Sequence, residues 1–199
     1  MQKILNLGLQ PGDVIVIWSS RLIGFMVNAV FGIHDPATHV EMVYDDGVNN
    51  ISSSIGGVKL RPTANMFKAR KWVVLRNKKL GCGDLLHNMW IQKVAEKYIG
   101  CSYDYFLYVL WIMRLSLILQ PLVWLMLQPF RNWLKREEVK RFGCSELVVQ
   151  ILKDLGVDTG IDEPHNAPPD NLLQTARSCV HDWEWIASGG RFGGKKRYR

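Results

Sequence analysis

Strand patterns dominate the first 77 residues of this 199-residue chain, interrupted by one helical stretch, and the strongest helix patterns follow after residue 84. That order constrains the fold more than any other feature. Strands first and helices later favour an α+β domain, with an antiparallel sheet and helices packed on one side. Regular alternation of the two would instead point to a parallel sheet. "GDVIVIWSS" is a short β-branched apolar run, the pattern of a buried strand. "THVEMVYDDGVNNISSSIGGVKLRP" reads as two strands around an Asp46-Gly47 turn, and "KWVVLR" as another strand. "SRLIGFMVNAVFG" has helical spacing between Ser20 and Gly32. "GDLLHNMWIQKVAEKYIG" reads as an amphipathic helix stopped by Gly100, and "CSELVVQILKDLG" as one stopped by Gly156. "DEPHNAPPDNLL" is a Pro-rich loop that leads into a short helix. No internal repeat or linker divides the chain. One domain is expected over residues 1–187, and the Gly- and Arg-rich tail 188–199 is expected to be disordered.

Hydrophobic content of 48% supports a packed core. The net charge of +7 permits anionic partners without selecting one, and specific nucleic-acid binding is not expected. Cys82, Cys101, Cys144 and Cys179 lack metal-ligand spacing, so neither a metal nor a cofactor is expected. The N-terminus "MQKILNLGLQPGDV" lacks the apolar core of a signal peptide. Free thiols and a cytoplasmic or virion-associated setting, with peripheral membrane contact as a further option, fit that reading.

Cys144 opens the helix "CSELVVQIL". A thiol there meets the positive end of the helix dipole, which favours the thiolate. A nucleophilic thiol also needs a base and a group to orient that base. Of five histidines, His39 begins the strand "HVEMVY", a rigid place from which to aim an imidazole. Strand alternation puts Glu41 and Val43 on its face. A two-residue turn at Asp46-Gly47 would set Val43 opposite Asn50, Glu41 opposite Ser52 and His39 opposite Ser54. Glu41, Asn50, Ser52 and Ser54 then surround the imidazole. The same residues also suit the wet face of an ordinary hairpin.

Six segments carry a resemblance: "PGDVIVI", "THVEMVYDDG", "GGVKLRP", "KYIGCSYDYF", "FGCSELVVQIL" and "APPDNLL". In this order they resemble the circularly permuted NlpC-type papain-like hydrolases, including YiiX-like proteins and relatives of lecithin:retinol acyltransferase. The resemblance implies a permuted papain-like fold. It also implies a thiol enzyme acting on an amide or ester, with Cys144 as nucleophile and His39 as base. The family often places an acidic residue shortly before "GGV", where this chain has "ISSSIGG". The third position therefore stays open between Glu41 and Ser52, with Ser54 as fallback. Tyr103 is expected either to reach the substrate cleft or to pack as an ordinary aromatic. The expected function is a cysteine amidase or peptidase using a thioester. Its substrate would be a peptidoglycan stem peptide, as the wall hydrolases and phage proteins of the wider fold suggest, or an N-acyl or lipid amide. A phospholipid acyltransferase and a non-catalytic membrane-docking or virion structural protein are the alternatives.

Residues 106–130 are almost wholly apolar, within an insertion expected over 105–135. About 20 helical residues span a bilayer core. Arg114 and the Gln120-Pro121 break fit two shorter helices better than one crossing. The insert would pack on its own domain or in an oligomer, act as a lid, or dock on an anionic membrane with the basic residues up to Arg141.

Overall fold

The computed structural model describes residues 7–19, 36–81, 84–104, 141–162, 168–190 and the backbone of 193–196. The expected helix between Ser20 and Gly32, Cys82, and the apolar insertion expected over 105–135, with the five residues after it, lie outside the described residues. The strands are β1 (Val14–Trp18), β2 (His39–Val43), β3 (Asn49–Ser54), β4 (Gly57–Pro62), β5 (Lys71–Asn77), β6 (Ser102–Tyr103), β7 (Arg141–Phe142), β8 (Trp183–Gly190) and β9 (Gly193–Lys196). The α-helices are α1 (Leu85–Glu96), α2 (Cys144–Asp154) and α3 (Pro169–Ser178), with a 3-10 turn at Thr63–Lys68. Seven strands form one sheet in the order β4-β3-β2-β1-β5-β8-β9, and every pairing in it is antiparallel. β6 and β7 form a separate parallel pair. The molecule is α+β, as the order of patterns implies.

β1 is central and buried along its whole length, which is why it is an unbroken apolar run. Its alternation feeds two cores. Val14, Val16 and Trp18 join Val40, Met42, Val73 and Leu75 beneath the three α-helices. Ile15 and Ile17 join Val43, Trp72 and Val74 on the other face, covered by Leu7, Leu9 and the 3-10 turn through Met66. α2 supplies Leu147, Val148, Ile151 and Leu152 to the first core, a spacing that keeps one stripe on the sheet. Each such side chain contributes about 1.5–3 kcal/mol over leaving it exposed.

The hairpin of β2 and β3 has the expected register, with Val43 opposite Asn50, but a longer turn. Tyr44 and Asn49 close the loop, and the Asp45 carboxylate accepts the N–H groups of Val48 (2.9 Å) and Asn49 (2.6 Å). An aspartate side chain here does the work expected of a two-residue turn. The segment also holds a third strand, β4, because Ile55-Gly56 turns the chain again.

The tail departs further from expectation. Residues 188–190 complete β8, and 193–196 form the edge strand β9, with Ser188 opposite Lys196. The glycines are there for close approach rather than for disorder. A Cβ on Gly189 would lie 2.6 Å from the Trp72 ring, and one on Gly190 would strike the Arg70 carbonyl. The sheet therefore extends past residue 187.

One ion pair fixes the start of β1 to the end of β5. Arg76 donates from Nε to Asp13 Oδ1 (2.7 Å) and from Nη2 to Oδ2 (2.8 Å). Asp13 is buried, and Gln10 N–H also donates to it. Removing one partner of a buried pair leaves the other uncompensated. Asp13→Ala is expected to cost about 3 kcal/mol, the low end for such pairs because Arg76 keeps some solvent contact. Urea unfolding of the variant measures this, and an unchanged midpoint would refute it.

Candidate active site

Three elements build the site. The β2–β3 ladder is paired only at Val43↔Asn50 and Met42↔Ile51, so the strands are free of each other toward His39. The start of α2 is set against this open end. Gly143 is its N-cap, and the Glu146 carboxylate accepts the Gly143 N–H at 3.1 Å. This is half of a capping box, since glycine has no side chain to complete it. The Phe142 carbonyl accepts from the Ser53 hydroxyl at 2.5 Å. Cys144, the first residue of α2, is buried, and its sulfur receives the backbone N–H groups of Val40 and Ser145. Val40 thus satisfies at the thiol a donor that the short ladder leaves over.

The opposing partner is His39, whose side chain is 21% exposed. Its Nε2 lies 2.9 Å from Ser52 Oγ and 3.2 Å from Glu41 Oε1. The ring also hydrogen-bonds to Cys144. With Nε2 engaged, Nδ1 is the nitrogen left for the sulfur. Glu41 is held from behind: Asn50 Nδ2 donates to Oε2 (2.8 Å), and the Thr63 hydroxyl donates to Asn50 Oδ1 (2.7 Å). Ser52, Asn50 and Thr63 are fully buried. The cluster is a supported chain, not the wet face of a hairpin.

Burial sets the cost and pairing overcomes it. Desolvation disfavours charge on His39, but the Cys144 thiolate and then Glu41 push its pKa up to about 10. Burial likewise raises the Cys144 thiol, and the neighbouring imidazolium with the Val40 and Ser145 N–H groups brings it below the ordinary range. Burial opposes the Glu41 charge too, and His39, Asn50 and Ser52 hold its pKa below 4.5. These shifts also couple to stability. The His39 contribution is fully present below pH 6.5 and is lost as pH rises through about 10. The Glu41 contribution is present above pH 4.5 and is lost as pH falls through its lowered value.

The structure therefore brings together Cys144, His39, Glu41 and Ser52. It does not bring in Ser54, whose hydroxyl accepts from Arg61 Nη2 instead. Ser54 sits opposite Gly57 at the tip of the second hairpin, where β4 rather than β2 is its neighbour. Tyr103 is buried and stands opposite Phe142 in the β6–β7 pair, two residues before Cys144 in the chain. Thr63 and Asp170 have no role assigned by sequence reasoning. Asp170, in the first turn of α3, accepts the Ala37 N–H at 2.8 Å and so anchors the approach to His39. Only its place in "APPDNLL" marked it beforehand. Among the described residues no group of three or more His, Cys, Asp or Glu side chains is arranged to hold a metal ion. No helix among them is long and apolar enough to cross a membrane.

What fold and site define together is an α+β domain with a buried thiol–imidazole–carboxylate cluster at a helix start. Compared with known proteins, the chain matches no family model and no curated protein.

Two measurements test the electrostatics. Alkylation of an ordinary cysteine rises about tenfold per pH unit toward its pKa of about 8.5. Cys144 is expected to alkylate at a rate nearly independent of pH through neutrality, changing again only as pH approaches about 10. A steep ordinary profile would show that the thiol is not paired. In Glu41→Gln the His39 pKa, followed by NMR, is expected to fall by about one unit or more, since one unit corresponds to 1.36 kcal/mol of lost charge interaction. Ser52→Ala is expected to move it less, because a hydroxyl carries no net charge. The reverse order would transfer the orienting role to the serine.

Proposed function

We propose that this protein is a cysteine hydrolase that cleaves an amide bond through a thioester on Cys144. The observation that carries the reading is the pairing of a helix-start thiol with a strand imidazole whose far nitrogen is held by Glu41 and Ser52. The chain order, histidine strand before cysteine helix, suits a permuted papain-like fold of the NlpC type.

The thiolate attacks the carbonyl carbon. First-turn N–H groups of a helix lack intrahelical acceptors, so that of Cys144 stabilises the oxyanion. The His39 imidazolium gives its proton to the leaving amine, and the amine departs as the thioester forms. Neutral His39 then takes a proton from water, which attacks the thioester and releases the acid. Glu41 carries the orienting role and stabilises the imidazolium, with Ser52 bridging the same nitrogen. Tyr103 lines the approach to the thiol. The substrates that fit are a peptide amide of the stem-peptide kind and an N-acyl amide. Membrane contact through residues 106–141 would favour the second.

The test is intact-mass spectrometry after incubation with a panel of peptide and N-acyl amides. The expected result is an acyl adduct on Cys144, removed by hydroxylamine and absent in Cys144→Ala. His39→Ala should slow its formation by about 10²–10⁴, the usual worth of general acid–base catalysis. Release of the acyl group to a hydroxyl acceptor in preference to water would make the protein an acyltransferase. A folded protein that forms no adduct with any of the panel would favour a structural role.

A further inference from the structure

A groove of about 740 Å³ lies on the helix-bearing face of the sheet, away from Cys144. Its floor is Val73 of β5 with Trp183 and Trp185 of β8, and its wall is Leu173 and Arg177 of α3. Lys71 and Trp18 stand at one end, and Lys78 and Val180 at the other. Lys71 opens β5 and Lys78 follows its last residue, so at about 3.3 Å per residue the two ends lie about 23 Å apart along the backbone. A groove of that length and volume is narrow, which suits one extended chain.

The lining has a definite chemistry. Three cations, Lys71, Lys78 and Arg177, face one carboxylate, Glu184. That carboxylate lies opposite Arg76, which offsets it. Two of the cations rest on indoles: Lys71 Nζ is 4.3 Å from the Trp18 ring centre, and Arg177 Cζ is 5.8 Å from that of Trp185. An indole face orients a cation without using up its N–H donors. The indole N–H of Trp183 is buried and has no hydrogen-bond partner among the described residues. A buried donor left without a partner is destabilising, and an incoming acceptor would relieve it. By register, Trp183 stands beside Asn77, at the Lys78 end.

We propose that this groove binds a single-chain amphiphilic anion. Its carboxylate or phosphate sits among Arg177, Lys78 and the Trp183 N–H, and its apolar chain runs over Trp185, Val73 and Leu173 toward Trp18. An inorganic anion would engage one end and leave the aromatic floor uncovered. Lys78 Nζ donates to the Val180 carbonyl (3.2 Å) and keeps further N–H donors for an anion; a neutral amphiphile would bring no charge to the three cations. The site is independent of whether Cys144 is catalytic.

Calorimetric titration of the full chain with decanoate, decyl phosphate, decanol, inorganic phosphate and a short oligoglutamate tests this. The expected result is one saturable site for the first two. Arg177→Gln with Lys78→Gln should weaken both by about tenfold or more, the worth of one charged hydrogen bond. Decanol should bind the unmodified protein at least about tenfold more weakly than decanoate. Decanoate and decyl phosphate compared directly show whether a free acid or a phosphate headgroup is preferred. Both altered residues are exposed, so an unchanged melting temperature and Cys144 alkylation rate will show that the variant is folded. Equal affinity for decanol, full affinity in the double variant, tighter binding of phosphate alone or of oligoglutamate, or no saturable binding would each overturn the proposal.

Discussion

The site depends on the pairing of Val43 with Asn50. Extended two residues, past Met42 and Ile51, that register sets Glu41 opposite Ser52, and both then meet the same imidazole nitrogen. Strand side chains alternate with period two, so a slip of one residue would send Glu41 and its supports to opposite faces. Two features hold the register. The Asp45 carboxylate clamps the turn, and Asn50 lies between Glu41 and Thr63 as a buried bridge. A buried asparagine with both ends of its amide engaged has no equally good alternative pairing.

The same hairpin must also come apart. If β2 and β3 stayed paired to their ends, the Val40 N–H would enter the ladder and the start of α2 would have no place. The ladder instead stops after Met42, and the freed donor points at the Cys144 sulfur. Backbone polarity that the sheet does not consume is spent on the thiolate. The helix start adds its own N–H groups, and His39 adds a full charge. None of these alone overcomes the desolvation of a buried thiolate. Together they do, which is why Cys144, His39 and Glu41 shift as a linked set.

His39 stands where the two faces of the sheet meet. Its partner across β1 is Ile17, on the face covered by Leu7, Leu9 and the 3-10 turn, whereas the cysteine helix covers the other. From the first position of β2 the ring can serve both, with Nε2 toward Glu41 and the remaining nitrogen toward Cys144. That position is itself anchored. Asp170 holds Ala37, the Thr38 N–H donates to the Ile17 carbonyl, and Ser19 meets the Thr38 hydroxyl. Residues from both halves of the chain thus converge on the start of one strand.

Much of this was legible in the residues themselves. The buried run of β1, the hairpin register around Asp46-Gly47, the helix starting at Cys144 and its glycine stop follow from local patterns, because period and turn chemistry are local properties. Those patterns also sufficed to place His39, Glu41 and Ser52 on one face. Other features were settled only by tertiary contact. Gly189 and Gly190 resemble a loose tail in sequence, yet they belong to a strand because Trp72 and the Arg70 backbone crowd them. Ser52 and Ser54 look equivalent along the strand, and only the neighbour across β4, Arg61, takes Ser54 away from the imidazole. Thr63 and Asp170 act over separations of 13 and 133 residues, which no local pattern records. Sequence alone determined which side chains share a face. The packing of one element on another decided which of them touch, because a hydrogen bond is made by distance in space and not along the chain.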